Sequence, residues 1–247
     1  MAKFVKWIGA GLGWAFGGPI GAILGYALGS AFHGMSQNDI EDFQKSREGY
    51  TGTQSGDFEV SLLVLSAAVI KADGKTTQPE LDFVRNHFVQ MYGKERANQA
   101  FRLFKEIINN QNISIRQVSM QIAHHMDHAS RLQLLHFLFG IAKADGHVSK
   151  DEVHTIKTIS GYLYISPQDF GSIKAMFYDD TENAYKILEV TKASSDDDVK
   201  KAYRRMARKY HPDRVHHLGE EHMQGAKEKF QKVQEAYEKI KNERGFS

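Results

Sequence analysis

From Trp7 to Phe32 the chain carries no charged side chain, and within those 26 residues glycine recurs at every fourth position, at Gly9, Gly13, Gly17, Gly21, Gly25 and Gly29. A helix of that length reaches roughly 39 Å, more than the ~30 Å hydrocarbon core of a bilayer. In a helix the six glycines line one groove, which lets a second helix approach closely in lipid. In a soluble helix so many glycines would cost several kcal/mol. The segment therefore predicts a membrane anchor over residues 1–33, and the glycine ladder is a candidate self-association face. Two forms remain open: a single span, or a helical hairpin broken at Gly17-Gly18-Pro19. A cleaved signal peptide fits poorly, because the apolar run is too long and no A-x-A site follows. Lys3 and Lys6 precede the run, whereas Lys45 and Arg47 follow it among Asp39, Glu41, Asp42 and Glu48. That bias slightly favours a cytoplasmic N-terminus.

Residues 34–56 are polar and rich in Gly, Ser, Thr and Gln, and are expected to be a linker. Residues 57–178 hold an internal repeat. Val69-Ile70-Lys71-Ala72-Asp73-Gly74 returns as Ile141-Ala142-Lys143-Ala144-Asp145-Gly146, and each copy has a glutamate seven residues after its aspartate, Glu80 and Glu152. Apolar helical runs precede both copies, Leu62 to Ile70 and Leu132 to Ile141. A second helix is expected after each, Leu81 to Met91 and Val153 to Leu163. One helix–turn–helix unit used twice predicts an all-α domain with pseudo-symmetry, and the pattern resembles the TerB-like, tellurite-resistance-associated domains.

Asp73 with Glu80, and Asp145 with Glu152, could form an oxygen-rich calcium or magnesium cluster. Capping is the simpler account. Thr77-Gln78-Pro79-Glu80 and Ser149-Lys150-Asp151-Glu152 both fit a capping box, and the two Asp-Gly pairs are ordinary turn formers. His124 and His128 stand at i, i+4, with His125, Asp127 and His136 nearby. Two histidines so spaced can chelate zinc on one helix face, but no third ligand is fixed, and polar helix termini are the simpler account. With no cysteine in 247 residues there is neither a disulfide framework nor a thiolate metal site. A net charge of +2 argues against nucleic-acid binding by the whole chain. We find no nucleophile elbow, phosphate loop or H-E-x-x-H pattern, and no cofactor is expected.

From Asn183 to Ser247 the balance is 15 basic against 11 acidic residues. After Asp196 a helix is expected whose apolar stripe is Val199, Ala202, Tyr203, Met206 and Tyr210. A later helix carries Phe230, Val233, Ala236, Tyr237 and Ile240 in the same way. The two stripes can pack as an antiparallel pair, with Tyr185, Leu188 and Val190 over one end. The outer face of the first helix bears two basic rows, Lys200/Arg204/Arg208 and Lys201/Arg205/Lys209. His211-Pro212-Asp213 stands where the chain must turn, since Pro212 cannot continue the helix.

This arrangement resembles the J domain of the DnaJ co-chaperones over residues 183–247. The resemblance implies that the turn and the basic face engage a DnaK-type chaperone ATPase and trigger its ATP hydrolysis, the J protein performing no chemistry itself. Arg214 stands where many J domains have lysine. Neither a Gly/Phe-rich segment nor a cysteine-rich zinc module accompanies it, so client binding must lie elsewhere. A glycine-rich anchor, a TerB-like domain and a C-terminal J domain, in that order, are similar to the DjlA type of membrane-anchored DnaJ-like proteins. The resemblance then implies a co-chaperone of the inner membrane with its two folded domains in the cytoplasm. The alternative is a metal or envelope-stress sensor acting through the TerB-like domain, with the J domain as its output.

Overall fold

A computed structural model describes residues 53–109, 114–178, 181–218 and 223–246. The anchor, its glycine ladder and the linker up to residue 52 lie outside them. The described residues are all-α, as the periodicities predict. Helix α1 (Thr53–Ile70) is followed by α2 (Gln78–Asn109), which is broken by non-helical backbone at Gly93 (φ 78°, ψ 168°). Next come α3 (Ile115–His125), α4 (His128–Lys143) and α5 (Lys150–Tyr162). Helices α6 (Pro167–Ala175) and α7 (Thr181–Ile187) lead to α8 (Asp196–Lys209), a 3-10 turn (Pro212–Leu218) and α9 (Met223–Arg244).

The repeat is visible atom by atom. Gly74 and Gly146 take φ of 78° and 93°, a region closed to most side chains but open to glycine. Asp73 Oδ1 accepts from the Lys75 amide and Asp145 Oδ1 from the His147 amide, both at 2.9 Å. The amides of Thr77 and Ser149 donate to Glu80 Oε2 and Glu152 Oε2 at 2.8 and 2.7 Å. In return the Glu152 amide donates to Ser149 Oγ at 3.2 Å, and the Glu80 amide to Thr77 Oγ1 at a long 3.5 Å. Each unit is thus a helix, an Asp-Gly turn and a capped second helix. The second helices begin at Gln78 and Lys150, three residues before the apolar runs, because the caps precede the first apolar positions.

Helix α4 is the keel. Leu132, Leu134, Leu135, Leu138, Phe139 and Ile141 are at most 1% exposed, and Gln133 and His136 on the opposite side are buried as well. A helix buried on nearly every side must be surrounded, and α4 packs against α1, α2, α5, α6, α9 and the 3-10 turn. It therefore belongs to the core of the repeat domain and also to the floor under the C-terminal helices. Those form the expected antiparallel pair: Val199, Ala202, Met206, Tyr210, Val233, Ala236 and Ile240 are buried, and Tyr203 stacks on Tyr237 at 4.3 Å. Tyr185 and Leu188 of the α7 segment are buried beside them. Arg244 fastens the far end, donating to Tyr185 Oη, the carbonyls of Ser194 and Lys192, and Asp196 Oδ1 at 2.7–3.0 Å.

Candidate functional site: the His-Pro-Asp turn and its basic helix

Ser195 caps α8 by accepting from the Asp198 amide, and Asp196, Asp197 and Asp198 fill its first turn, where the helix dipole favours carboxylates. Basic residues fill the rest of the polar face. The helix ends at Tyr210, and the next residues form the tip. His211 sets its ring edge-on against Phe230 of α9 at 5.7 Å. Its Nδ1 accepts from the Asp213 amide at 3.3 Å and lies 3.5 Å from Asp213 Oδ2. The Asp213 side chain remains 81% exposed. The turn therefore offers a held but open carboxylate, while Val215 behind it is buried and anchors the tip to α9 and α4.

The two basic rows are not equivalent. Lys201, Arg204 and Arg208 are exposed, and Lys200 lies half-buried with Nζ 5.4 Å from the Phe246 ring. Arg205 Nη2 is 3.4 Å from Glu189 Oε2 and from the Leu188 carbonyl oxygen. Lys209 donates to Glu189 Oε1 at 2.7 Å and also pairs with Asp169 Oδ1 of α6. Glu189 sits at φ 58°, just past α7, where its backbone closes the helix end through bonds from Glu189 N to Lys186 O and Val190 N to Tyr185 O. Asp169 is 5% exposed. It is the third residue after the Ser166 cap, whose hydroxyl donates to Asp169 Oδ2 at 2.9 Å. Nε2 of His128 lies 3.4 Å from the same oxygen.

Asp169, Glu189 and Lys229 are the residues that periodicity alone passes over. Lys229 is 2% exposed, with Nζ 5.6 Å from the Tyr210 ring. No carboxylate lies within ion-pairing distance of it among the described residues. Burial pulls its ammonium down to about 7. A signal did exist: Ala226, Val233, Ala236 and Ile240 make a core stripe, and position 229 is its missing step. Asp169 is legible only as a cap, from Ser166-Pro167-Gln168-Asp169.

The other candidates are placed differently. Glu80 and Glu152 are engaged as capping carboxylates, and burial raises the Glu152 carboxyl with Ser149 opposing it. No group of three or more potential metal ligands occurs among the described residues. The expected i, i+4 histidine pair does not share a helix. Met126 turns to extended backbone (φ −111°, ψ 138°), and Asp127 caps α4, so His124 and His128 belong to different elements. His125 Nδ1 faces the Gln121 carbonyl at 2.9 Å. His136 is buried against Phe177 at 4.8 Å, and burial holds it well below the usual imidazole range. His87, 4.4 Å from the Phe137 ring, is lowered to about 4 by the same cause.

Three family models match the chain: the co-chaperone DjlA transmembrane domain over residues 1–38, the tellurite resistance protein TerB over 59–175, and the DnaJ domain over 183–245. Co-chaperone protein DjlA of Coxiella burnetii is 27% identical over 98% of this chain and 98% of its own length. That of Haemophilus influenzae is 27% identical with the same coverage of both. The chaperone protein DnaJ of Bacillus cytotoxicus is 51% identical over 59 residues, 24% of this chain and 14% of the relative. No solved structure matches. With an anchor match, a TerB-like domain and a J domain in sequence, and relatives aligned from end to end, the chain belongs to the DjlA type of DnaJ-like co-chaperones.

Proposed function

We propose that the chain is a membrane-anchored co-chaperone that brings a DnaK-type chaperone to the membrane and stimulates its ATP hydrolysis through His211-Pro212-Asp213. The observation that carries this reading is the open Asp213 carboxylate at the end of a helix with a cationic outer face. Asp213 would pair with an arginine of the chaperone, while Lys200, Lys201, Arg204, Arg205, Arg208 and Lys209 face an acidic surface on it. Exposed charges of this kind mainly speed encounter, so stimulation should weaken as salt rises. The chain itself breaks no bond. The anchor over residues 1–33 would fix the inner membrane as the place of action, with both folded domains in the cytoplasm. Gly9, Gly13, Gly17, Gly21, Gly25 and Gly29 would offer a surface for pairing anchors, on the strength of their spacing alone.

The test is single-turnover ATP hydrolysis by a DnaK-type chaperone with the full chain in lipid nanodiscs. Asp213→Asn keeps the shape and removes the charge. Losing a charge-assisted hydrogen bond should cut the stimulation by roughly tenfold or more. Equal stimulation by the two proteins would refute the mechanism.

A further inference from the structure

The basic face of α8 does not end in solvent. At Lys209 it runs into the TerB-like domain, where Asp169 of α6 meets the ammonium. Glu189 holds the same nitrogen from the J domain's own side at 2.7 Å, and the lysine side chain is left 24% exposed. The contact belongs to a longer seam in which α4 packs against α9 and the 3-10 turn. At the start of α9, Gly225 lies so close to α4 that a Cβ there would fall 2.0 Å from Gln133 Nε2. A larger residue there would require the Gln133 side chain to swing aside.

The seam is close-fitting but poor in compensated polar groups. Among the described residues Gln133 Oε1 is buried without a hydrogen-bond partner, and Lys229 is buried without a carboxylate. Each group left so costs on the order of 1–3 kcal/mol on closure. Such costs weaken closure of the seam and favour its opening.

We propose that this seam is an intramolecular latch: the TerB-like domain holds the J domain through Asp169–Lys209 and competes with the chaperone for that end of the basic helix. The inference rests on the reading that Lys209 belongs to the chaperone-docking face. In the closed form the exposed cations, Lys201, Arg204 and Arg208, remain available for first encounter. Full engagement beside the turn requires Lys209 to leave Asp169. Glu189 stays with the J domain in either form, so Asp169 is the residue that makes the contact switchable.

The chain has no cysteine, so a disulfide introduced across the seam is the only one that can form within it. In the full chain in nanodiscs, the pair Gln133→Cys and Gly225→Cys should oxidise readily and lock the latch. Locked protein should need about fivefold or more chaperone for half-maximal stimulation in the single-turnover assay, and reductant should restore it. Separately, Asp169→Asn should lower the half-saturating chaperone concentration by roughly three- to tenfold, as expected for loss of one half-buried ion pair. Equal half-saturation by Asp169→Asn and wild type, or equal stimulation by the locked protein before and after reduction, overturns the latch. Asp213→Asn in reduced protein separates the two ideas. If it stimulates like wild type, the chaperone reading itself fails and the latch with it. If it is inert while locking has no effect, the latch alone is wrong.

Discussion

Lys229 shows what one residue can reveal when it breaks a pattern. It occupies a core position of α9 with no carboxylate partner among the described residues, facing Tyr210 at the end of α8 and near His136 of α4, with Lys232 one turn on. A lysine is ordinarily protonated up to 10.5, and burial brings this one to about 7. Between those values the unfolded chain holds a proton that the folded chain has given up, so folded-state stability rises with pH from 7 to 10.5. Below 7 both states are protonated and the penalty is constant. Lys229→Met keeps the length and removes the charge. It should stabilise the fold at pH 7 by about 1–3 kcal/mol. Urea denaturation at pH 7, 9 and 10 should show that advantage shrinking as pH rises. A difference that does not vary with pH would place the lysine head in solvent.

At the scale of the element, the two Asp-Gly units ask whether acidic residues serve a cation or a helix end. Glu152 and Ser149 exchange hydrogen bonds in both directions, at 2.7 and 3.2 Å, and the Thr77–Glu80 pair does so with one long bond. Ser149→Ala should therefore cost about 1 kcal/mol in thermal unfolding, and Thr77→Ala less. Millimolar calcium should leave the melting temperature unmoved, because a bound ion would raise it by mass action. These caps were legible beforehand because a cap is local: four residues carry both its donor and its acceptor. His124 and His128 fall at helix termini, the simpler of the two readings, although their spacing alone says nothing about whether the helix continues. Asp127, a better cap than ligand, ends that continuity.

Across the whole molecule, legibility followed the range of the interaction. The stripes of α8 and α9 could be read because each repeats within one helix. That α4 serves both domains could not, since its dense apolar run announces burial but not by what. Asp169 and Lys209 lie 40 residues apart in sequence, and no periodicity joins them. The same limit applies at the membrane. Among the described residues no helix is long and apolar enough to cross a bilayer. Anchoring therefore rests on residues 1–33, where the match to the DjlA transmembrane domain lies.

Orientation then follows from the partner rather than from charge. On the proposed function the J domain would face the cytoplasm, where ATP is plentiful for a DnaK-type ATPase, whereas Lys3 and Lys6 weakly favour placing the N-terminus there. A single span sets these demands against each other, and a hairpin at Gly17-Gly18-Pro19 satisfies both. A C-terminal tag should survive protease added to intact spheroplasts and be lost on lysis. Digestion in intact spheroplasts would remove the J domain from its partner and end the co-chaperone reading. An N-terminal tag in the same experiment distinguishes the two anchors: protection means a hairpin, and digestion means a span in which the demand of the partner outweighs two lysines.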